Sequence, residues 1–227
     1  MSRTRLALAG VCLVAALVYA NSLANGFAMD DRSIIATNDE VHGIRALPQA
    51  VTGPYWPKGP ERSALYRPFT LATYAINWDL AGGEPFGFHL VNVLLHVAVT
   101  ALVFLLLGRL GAGFAGTLTG ALVFAVHPVH VEAVANVVGR AEILAALFFL
   151  LACLAYLRLR RGWGTALLLG TLYLLSLLSK EIGVTLPGAL VLLHFAHGRS
   201  IRAGLEAAWD RWRVYLVLAV VLVGYLA

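Results

Sequence analysis

Residues 6–24, LALAGVCLVAALVYANSLA, form a long apolar run, and the motif Phe27-Ala28-Met29-Asp30-Asp31-Arg32 follows it almost at once. A helix needs roughly 20 apolar residues to cross a bilayer. The run exceeds the roughly 7 to 15 residues of a signal-peptide core, so we expect a retained span. Ser22-Leu23-Ala24 resembles a cleavage site, which leaves a cleaved signal peptide as the alternative. With a retained span, the two adjacent carboxylates lie close to a membrane surface.

The composition predicts an all-α polytopic membrane protein. Of 227 residues, 60% are hydrophobic and 13% are charged, with a mean hydropathy of +0.80. Soluble domains usually carry about 25% charged residues. The net charge of +5 comes from cations between apolar segments, with no basic run interleaved with aromatics, so we expect no nucleic-acid partner. Cys12 and Cys153 lie inside apolar runs, which favours buried thiols over a disulfide or a metal site.

Seven apolar segments predict seven spans around one long external loop, residues 25–88. The predicted spans are 6–24, 89–107, 114–126, 141–157, 165–178, 183–195 and 214–227. The last run stops at Ala227, so we expect a truncated span and an absent C-terminal remainder. The loop is predicted to carry short interfacial helices at 66–78 and 47–51, the first with Pro68 in its first turn. Thr70, Tyr74 and Trp78 share one helical face, which we expect to face lipid headgroups.

The distribution of charge predicts the topology. With a cytoplasmic N-terminus, the inner side carries ten arginines, Arg199 among them, against Glu206 and Asp210. The outer side, which includes Lys58, Glu61 and Arg62, carries seven cations against ten acids. This asymmetry agrees with the positive-inside rule. Asp30, Asp31 and the other polar motifs are therefore expected on the extracytoplasmic side.

Asp30 and Asp31 are the first candidates for chemistry. Two neighbouring carboxylates repel each other, so one of them should hold its proton more tightly than an isolated Asp. Such a group can act as a general base toward a hydroxyl. The alternative is a solvated acidic turn with Arg32 as its counter-ion.

Two further polar patterns follow. In the second span His89, Asn92, His96 and Thr100 form one stripe; His96 is expected to pack between helices, whereas His89, nearer the surface, is the better site candidate. His127, His130 and Glu132 do not converge as metal ligands on a helix that starts at Pro128, so we expect no metal there. Instead, Glu132, Asn136 and Arg140 align on one helical face, with Arg140 at the membrane edge.

Lys180 and Glu181 form the loop between the fifth and sixth predicted spans. They could be snorkelling boundary residues. Alternatively, Lys180 and Arg140 lie at the depth of a lipid phosphate, where two cations could hold the phosphate and stabilise the charge that develops as it leaves.

Six motifs together resemble one known family, the transmembrane and tetratricopeptide-repeat protein O-mannosyltransferases and their bacterial relatives. They are NGFAMDDR at 25–32, YRPFT at 66–70, GFHLVNVLLH at 87–96, HPVHVEAV at 127–134, VGRAE at 138–142 and SKE at 179–181. They occur in the family's order and extend over roughly residues 21–187. The resemblance implies a GT-C-like multi-span helical bundle. The tetratricopeptide repeats and later spans of the family are missing from this sequence.

The resemblance also implies an activity: inverting transfer of mannose or a related sugar from a polyprenyl-phosphate or dolichyl-phosphate carrier to a hydroxyl of a protein or glycan. It implies that Asp30 and Asp31 are catalytic, with Asp30 favoured as the base, and that no metal cofactor is expected. Arg140 and Lys180 would hold the donor phosphate, and His89, His130, Glu132 and Arg67 would position the substrates. The active site would face the periplasm or the lumen of the endoplasmic reticulum.

Two other functions remain open at this point. A transporter or flippase would place polar residues along the inner halves of the spans, which are nearly free of them. A non-catalytic scaffold with the same fold would lack a cavity beside Asp30 and Asp31. The oligomeric state is left open by the sequence.

Overall fold

The computed structural model describes residues 2–57, 65–195 and 201–227. Lys58, Glu61, Arg62 and Arg199, which contributed to the charge asymmetry, lie outside these ranges. Within the described ranges the chain forms eleven α-helices, joined by short 3₁₀ and π-type turns. The helices are α1 (Arg3–Val18), α2 (Leu47–Thr52), α3 (Pro68–Ala81), α4 (Pro85–Arg109), α5 (Gly113–Val126), α6 (Val131–Val134), α7 (Arg140–Arg158), α8 (Trp163–Ser179), α9 (Leu186–Phe195), α10 (Ile201–Trp209) and α11 (Trp212–Leu226).

Several of these helices are suited to a bilayer. Among the described residues, three segments are long and apolar enough to cross a membrane: Arg3–Ala24, Pro85–Arg109 and Val137–Arg158. A fourth results if α5 and Pro128–Val134, bent by 45°, form one span. α8, α11 and the segment Glu181–Phe195 are apolar but shorter. The all-α polytopic fold is thus confirmed, whereas the division into seven spans stays a prediction.

The helices pack into a bundle in which α7 lies between α4 and α8. Cys153 and Tyr156 on α7 belong to an apolar core shared with α8, α9 and α11. Cys153 is buried, Cys12 is half-buried, and both are free thiols. α1 packs against α4 and α5, burying Val11 and Ala15, as a retained first span would.

The external segment between α1 and α4 has an apolar core of its own. Both predicted helices are present, as α2 and α3, and Pro68 begins α3 as expected. The predicted orientation of α3 is wrong, however, since Thr70 and Tyr74 are fully buried. Tyr74 packs in a cluster with Ile34, Leu71 and Phe88 and donates a hydrogen bond to the carbonyl of Val137 at 3.2 Å. Burial of this ring helps to stabilise the external segment, because an aromatic side chain removes a large apolar area from water.

The segment before α7 is not the continuous helix that the sequence predicted. Pro128–His130 is a 3₁₀ turn, α6 is a single turn, and Asn136 is extended (φ −93°, ψ 126°) before a second 3₁₀ turn at Val137–Gly139. The chain folds back tightly there, and the close approach requires a glycine, since a Cβ atom on Gly139 would lie 2.4 Å from the carbonyl oxygen of Ala133. Glu132, Asn136 and Arg140 therefore do not share one helical face.

The bundle has two polar ends, which we call the Asp30 end and the Arg109 end. α4 begins beside Arg140, whose guanidinium bonds the carbonyl of Phe88, and α4 ends at Arg109. α7 runs from Arg140 to Arg158 over 19 residues, or about 28 Å at 1.5 Å per residue. The two ends are thus separated by roughly the hydrocarbon thickness of a bilayer.

Candidate functional site

A tight turn at residues 28–31 sends the two adjacent carboxylates in different directions. The backbone N–H of Asp31 donates to the carbonyl of Ala28 at 2.9 Å, and the N–H of Ala28 donates to Oδ2 of Asp31 at 3.2 Å. Met29, inside this turn, has φ 45°, a left-handed conformation that costs a non-glycine residue about 1 kcal/mol. As a result Asp31 is fully buried, whereas Asp30 is exposed.

Asp31 connects the first external loop to the turn before α7. Its Oδ1 accepts the backbone N–H of Val138 at 2.9 Å, and its Oδ2 lies 3.4 Å from the N–H of Val137. Burial raises the pKa of the Asp31 carboxyl, although these N–H groups and the nearby His89 act to lower it. The sequence predicted one tightly held proton in the pair from charge repulsion; in the structure, burial is the largest cause of the raised pKa of Asp31.

Asp31 and Arg140 are both charged side chains that are fully buried, and we call them the buried layer. The donors of Arg140 reach protein oxygens on α3 and α4. Nε donates to Oδ1 of Asn92 at 2.9 Å, and Nη2 donates to Oδ1 of Asn77 at 2.7 Å and to the carbonyl of Phe88 at 3.0 Å. The guanidinium also lies 4.8 Å from the ring centre of Tyr74. The structure therefore does not place Arg140 with Lys180 at one phosphate, because the guanidinium is enclosed by the protein.

The two candidate histidines do not line the cavity that Asp30 lines. His89 is buried at 1% exposure and is absent from the lining of the cavity described next. The rest of its stripe, Asn92, His96 and Thr100, is buried as well. The ring of His130 packs on Phe124, with centres 4.3 Å apart, beside His96. These side chains support the helix packing in this structure.

Asp30 lines a polar cavity of about 160 Å³. Arg67 and Glu132, two other residues predicted for the site, line it as well. Asn136 and Glu142 complete its polar wall, and Tyr55, Trp56 and Val138 contribute to its apolar wall. The cavity that a non-catalytic scaffold was expected to lack is thus present beside Asp30.

The cations at the cavity are paired with carboxylates. Arg67 donates to both oxygens of Glu181, Nε at 3.0 Å and Nη2 at 2.7 Å, and its guanidinium lies 4.8 Å from the ring centre of Tyr55. Lys180 forms an ion pair with Glu142. Both pairs join residues that are far apart in the sequence. Arg67 lines the Asp30 cavity, and Lys180 lies beside the cavity through its ion pair with Glu142, which lines it.

An apolar groove of about 400 Å³ begins at the same ion pair. Its walls are side chains of α4, α5, α7 and α8, among them Val99, Phe124, Ala146 and Phe149. Lys180 and Glu142 lie at its polar end, and Glu142 lines both the groove and the Asp30 cavity. An amphiphile could therefore place a polar head in the cavity and an apolar tail in the groove.

Sequence reasoning missed two parts of this arrangement. Glu142 was seen only as part of the motif at 138–142, although its position in the first turn of α7 places it one half-turn from Arg140. Asn77, which binds Arg140, carried no signal beyond being a polar residue on an apolar helix face. Among the described residues, no three His, Cys, Asp or Glu side chains converge as a metal site requires.

Comparison with curated proteins gives relatives over most of the chain. The chain is 40% identical over 183 residues to protein O-mannosyl-transferase Tmtc1 of Drosophila melanogaster and 39% identical over 183 residues to TMTC3 of Mus musculus. It is 35% identical over 219 residues to TMTC2 of Homo sapiens, an alignment that covers 89% of this chain. The chain belongs to this family. The resemblance inferred from the six motifs is confirmed.

The chain spans only a fifth to about a quarter of the length of these relatives. The alignments cover 78%, 77% and 89% of the chain but only 21%, 20% and 26% of the three relatives. No protein-family model matches the chain, and no solved structure does so significantly. Four of the six motifs, those at 25–32, 66–70, 127–134 and 138–142, nevertheless contribute a residue to the lining of the Asp30 cavity.

Proposed function

We propose that this chain transfers mannose from a polyprenyl-phosphate carrier to a hydroxyl of a protein, with inversion at the sugar carbon. The relatives are named protein O-mannosyl-transferases, which supports the sugar and the protein acceptor. The lipid-linked donor is supported by the cavity and the groove, which meet at Glu142. That junction is the observation on which the proposal rests.

Asp30 is the proposed general base. It is the exposed member of the acidic pair and lines the cavity, so an acceptor hydroxyl can reach it. Asp30 takes the hydroxyl proton while the oxygen attacks the anomeric carbon of the sugar. The bond from that carbon to the phosphate oxygen breaks, and its electron pair leaves on the polyprenyl phosphate. Asp31 holds the turn that orients Asp30, so we assign it a positioning role.

Arg67 and Lys180 are the proposed phosphate ligands. Each is paired with a carboxylate, and the side chains are 12% and 22% exposed. A donor phosphate can replace Glu181 or Glu142 as the partner, since charge-assisted bonds to phosphate are comparable in strength to those with carboxylates. Arg140, which the sequence assigned to the phosphate, instead fixes α3, α4 and α7 around the cavity.

The orientation is part of the proposal. Excess arginine at the Arg109 end supports a cytoplasmic N-terminus, with the Asp30 end on the extracytoplasmic side.

The test is sugar transfer by Asp30→Asn in vesicles supplied with polyprenyl-phosphate mannose and an acceptor peptide. Loss of a general base lowers the rate by roughly 10²- to 10⁴-fold. Because the amide keeps the size of the side chain, retention of the lipid donor should stay unchanged. Asp39→Asn is the matched control, since Asp39 lies in the same loop with a side chain 96% exposed. Normal turnover by Asp30→Asn would remove Asp30 as the base.

A further inference from the structure

A cavity of about 480 Å³ lies at the Arg109 end, far from the proposed site of transfer. The start of α1, the end of α4, the start of α5 and the end of α7 meet there. Its polar lining comprises Arg109, Arg158, Thr4 and Thr117, and its apolar lining includes Phe104 and Phe114. It is thus a mixed polar and apolar space at the end of three segments that can cross a membrane.

The two arginines that line this cavity have no protein counter-ion. Within the described ranges, Arg109 and Arg158 are exposed and form no ion pair or side-chain hydrogen bond. Arg3 adds a third cation, with its guanidinium 4.2 Å from the ring centre of Phe114. This concentration of positive charge is complementary to an anion.

The acids described near this end are already engaged by other arginines. Asp210 pairs with Arg161 at 2.8 Å, and Glu206 pairs with Arg202 at 3.0 Å. Neither carboxylate lines the cavity. The positive charge of Arg109 and Arg158 is therefore left for a ligand from outside the chain.

Two further features fit a phosphate group. Thr117 is buried at 5% exposure and presents a hydroxyl at the cavity wall. α5 begins at Gly113, also in the lining, so the N-terminus of that helix, where backbone N–H groups lack helical partners, borders the cavity. Guanidinium groups, a hydroxyl and helix N–H groups are all donors that phosphate oxygens accept.

We propose that this cavity binds the headgroup of an anionic phospholipid from the surrounding bilayer. The phosphate contacts Arg109 and Arg158, and the upper part of the acyl chains lies against Phe104 and Phe114. The apolar lining and the location at the membrane boundary favour a lipid over a soluble anion. The site is independent of sugar transfer, because α7 separates the two ends by about 28 Å.

The test compares lipid retention by the protein reconstituted with phosphatidylglycerol or with phosphatidylcholine, measured by native mass spectrometry. The variant is Arg109→Gln with Arg158→Gln. The matched control is Arg5→Gln with Arg160→Gln, which removes the same charge from the same end at positions outside the cavity lining. We expect the cavity variant to retain phosphatidylglycerol about tenfold more weakly than the wild type, and the control to change by less than about twofold.

Three outcomes would overturn the proposal. The first is an equal loss of phosphatidylglycerol retention in the cavity variant and in its control. The second is a wild type that retains phosphatidylglycerol no better than phosphatidylcholine. The third is displacement of the lipid by inorganic phosphate at a concentration equal to that of the lipid phosphate. The last would identify a site for soluble anions. Melting temperatures should stay unchanged in both variants, because the substituted side chains are exposed.

Discussion

The buried layer and the cavity beside it differ in how their polar groups are satisfied. In the buried layer, Asp31 and Arg140 are fully enclosed and hydrogen-bond to the protein itself. At the cavity, Asp30 is exposed, and Arg67 and the neighbouring Lys180 form ion pairs with carboxylates that are themselves 48% and 43% exposed. Asp30 and Asp31 are neighbours in the sequence but have opposite environments, so adjacency in the sequence does not imply a shared environment.

The two regions therefore predict different consequences of mutation. A change in the buried layer should reduce stability first, because it leaves buried partners without hydrogen bonds. Substitution of Asp30, which is exposed at the cavity, should reduce activity and leave stability within about 0.5 kcal/mol, as surface substitutions usually do.

Arg140→Met should have the largest effect on stability. The substitution keeps much of the volume but removes the donor to the buried side-chain oxygens of Asn77 and Asn92. Removing one partner of a buried charged network costs about 3–5 kcal/mol. Thermal unfolding in detergent measures this loss of stability. Arg45→Met is the control, because Arg45 is exposed in the external loop. Equal melting temperatures for the two variants would show that Arg140 does not hold the layer together.

Asp31→Asn should destabilise the protein by about 1–3 kcal/mol. An amide has one accepting oxygen, so its NH₂ group must face at least one of the N–H donors of Ala28, Val137 and Val138. Asp30→Asn is the matched variant one residue away, and its free energy of unfolding should lie within about 0.5 kcal/mol of that of the wild type. Similar melting of the two variants would contradict the division of the acidic pair.

The sequence predicted more of the fold than of the site. The helix positions could be predicted because apolar runs and Pro68 mark them directly, as at α4 and α3. The burial of Tyr74 could not be predicted, because helical periodicity shows which residues share a face but not whether lipid or protein covers that face. The environment of Arg140 depends on Asn77 and Asn92, which come from two other helices. It also depends on the tight turn at Gly139, which a helical pattern in the sequence does not predict.

The pH dependence of stability should show whether burial or hydrogen bonding dominates at Asp31. Burial raises the pKa of Asp31 in the folded chain, so the folded state binds the proton more tightly than the unfolded state does. The contribution of Asp31 to stability is then fully present below the ordinary value of 3.8 and declines as pH rises through the raised value. The stability difference between wild type and Asp31→Asn should therefore narrow as pH rises from about 4. A difference that widens over that range would mean that the backbone N–H groups outweigh burial.

Met29 gives the smallest expected effect and tests how the turn separates the two regions. Its φ of 45° strains a side chain that is 84% exposed, so substitution removes strain without loss of packing. Met29→Gly should leave stability unchanged or raise it by up to about 1 kcal/mol, whereas Met29→Val should lower it by about 1 kcal/mol. Ala28→Gly is the control, because Ala28 is exposed and has no positive φ; there glycine should cost about 0.5 kcal/mol. If glycine destabilises both positions equally, the turn is not strained, and Asp30 is oriented by the hydrogen bonds of Asp31 alone.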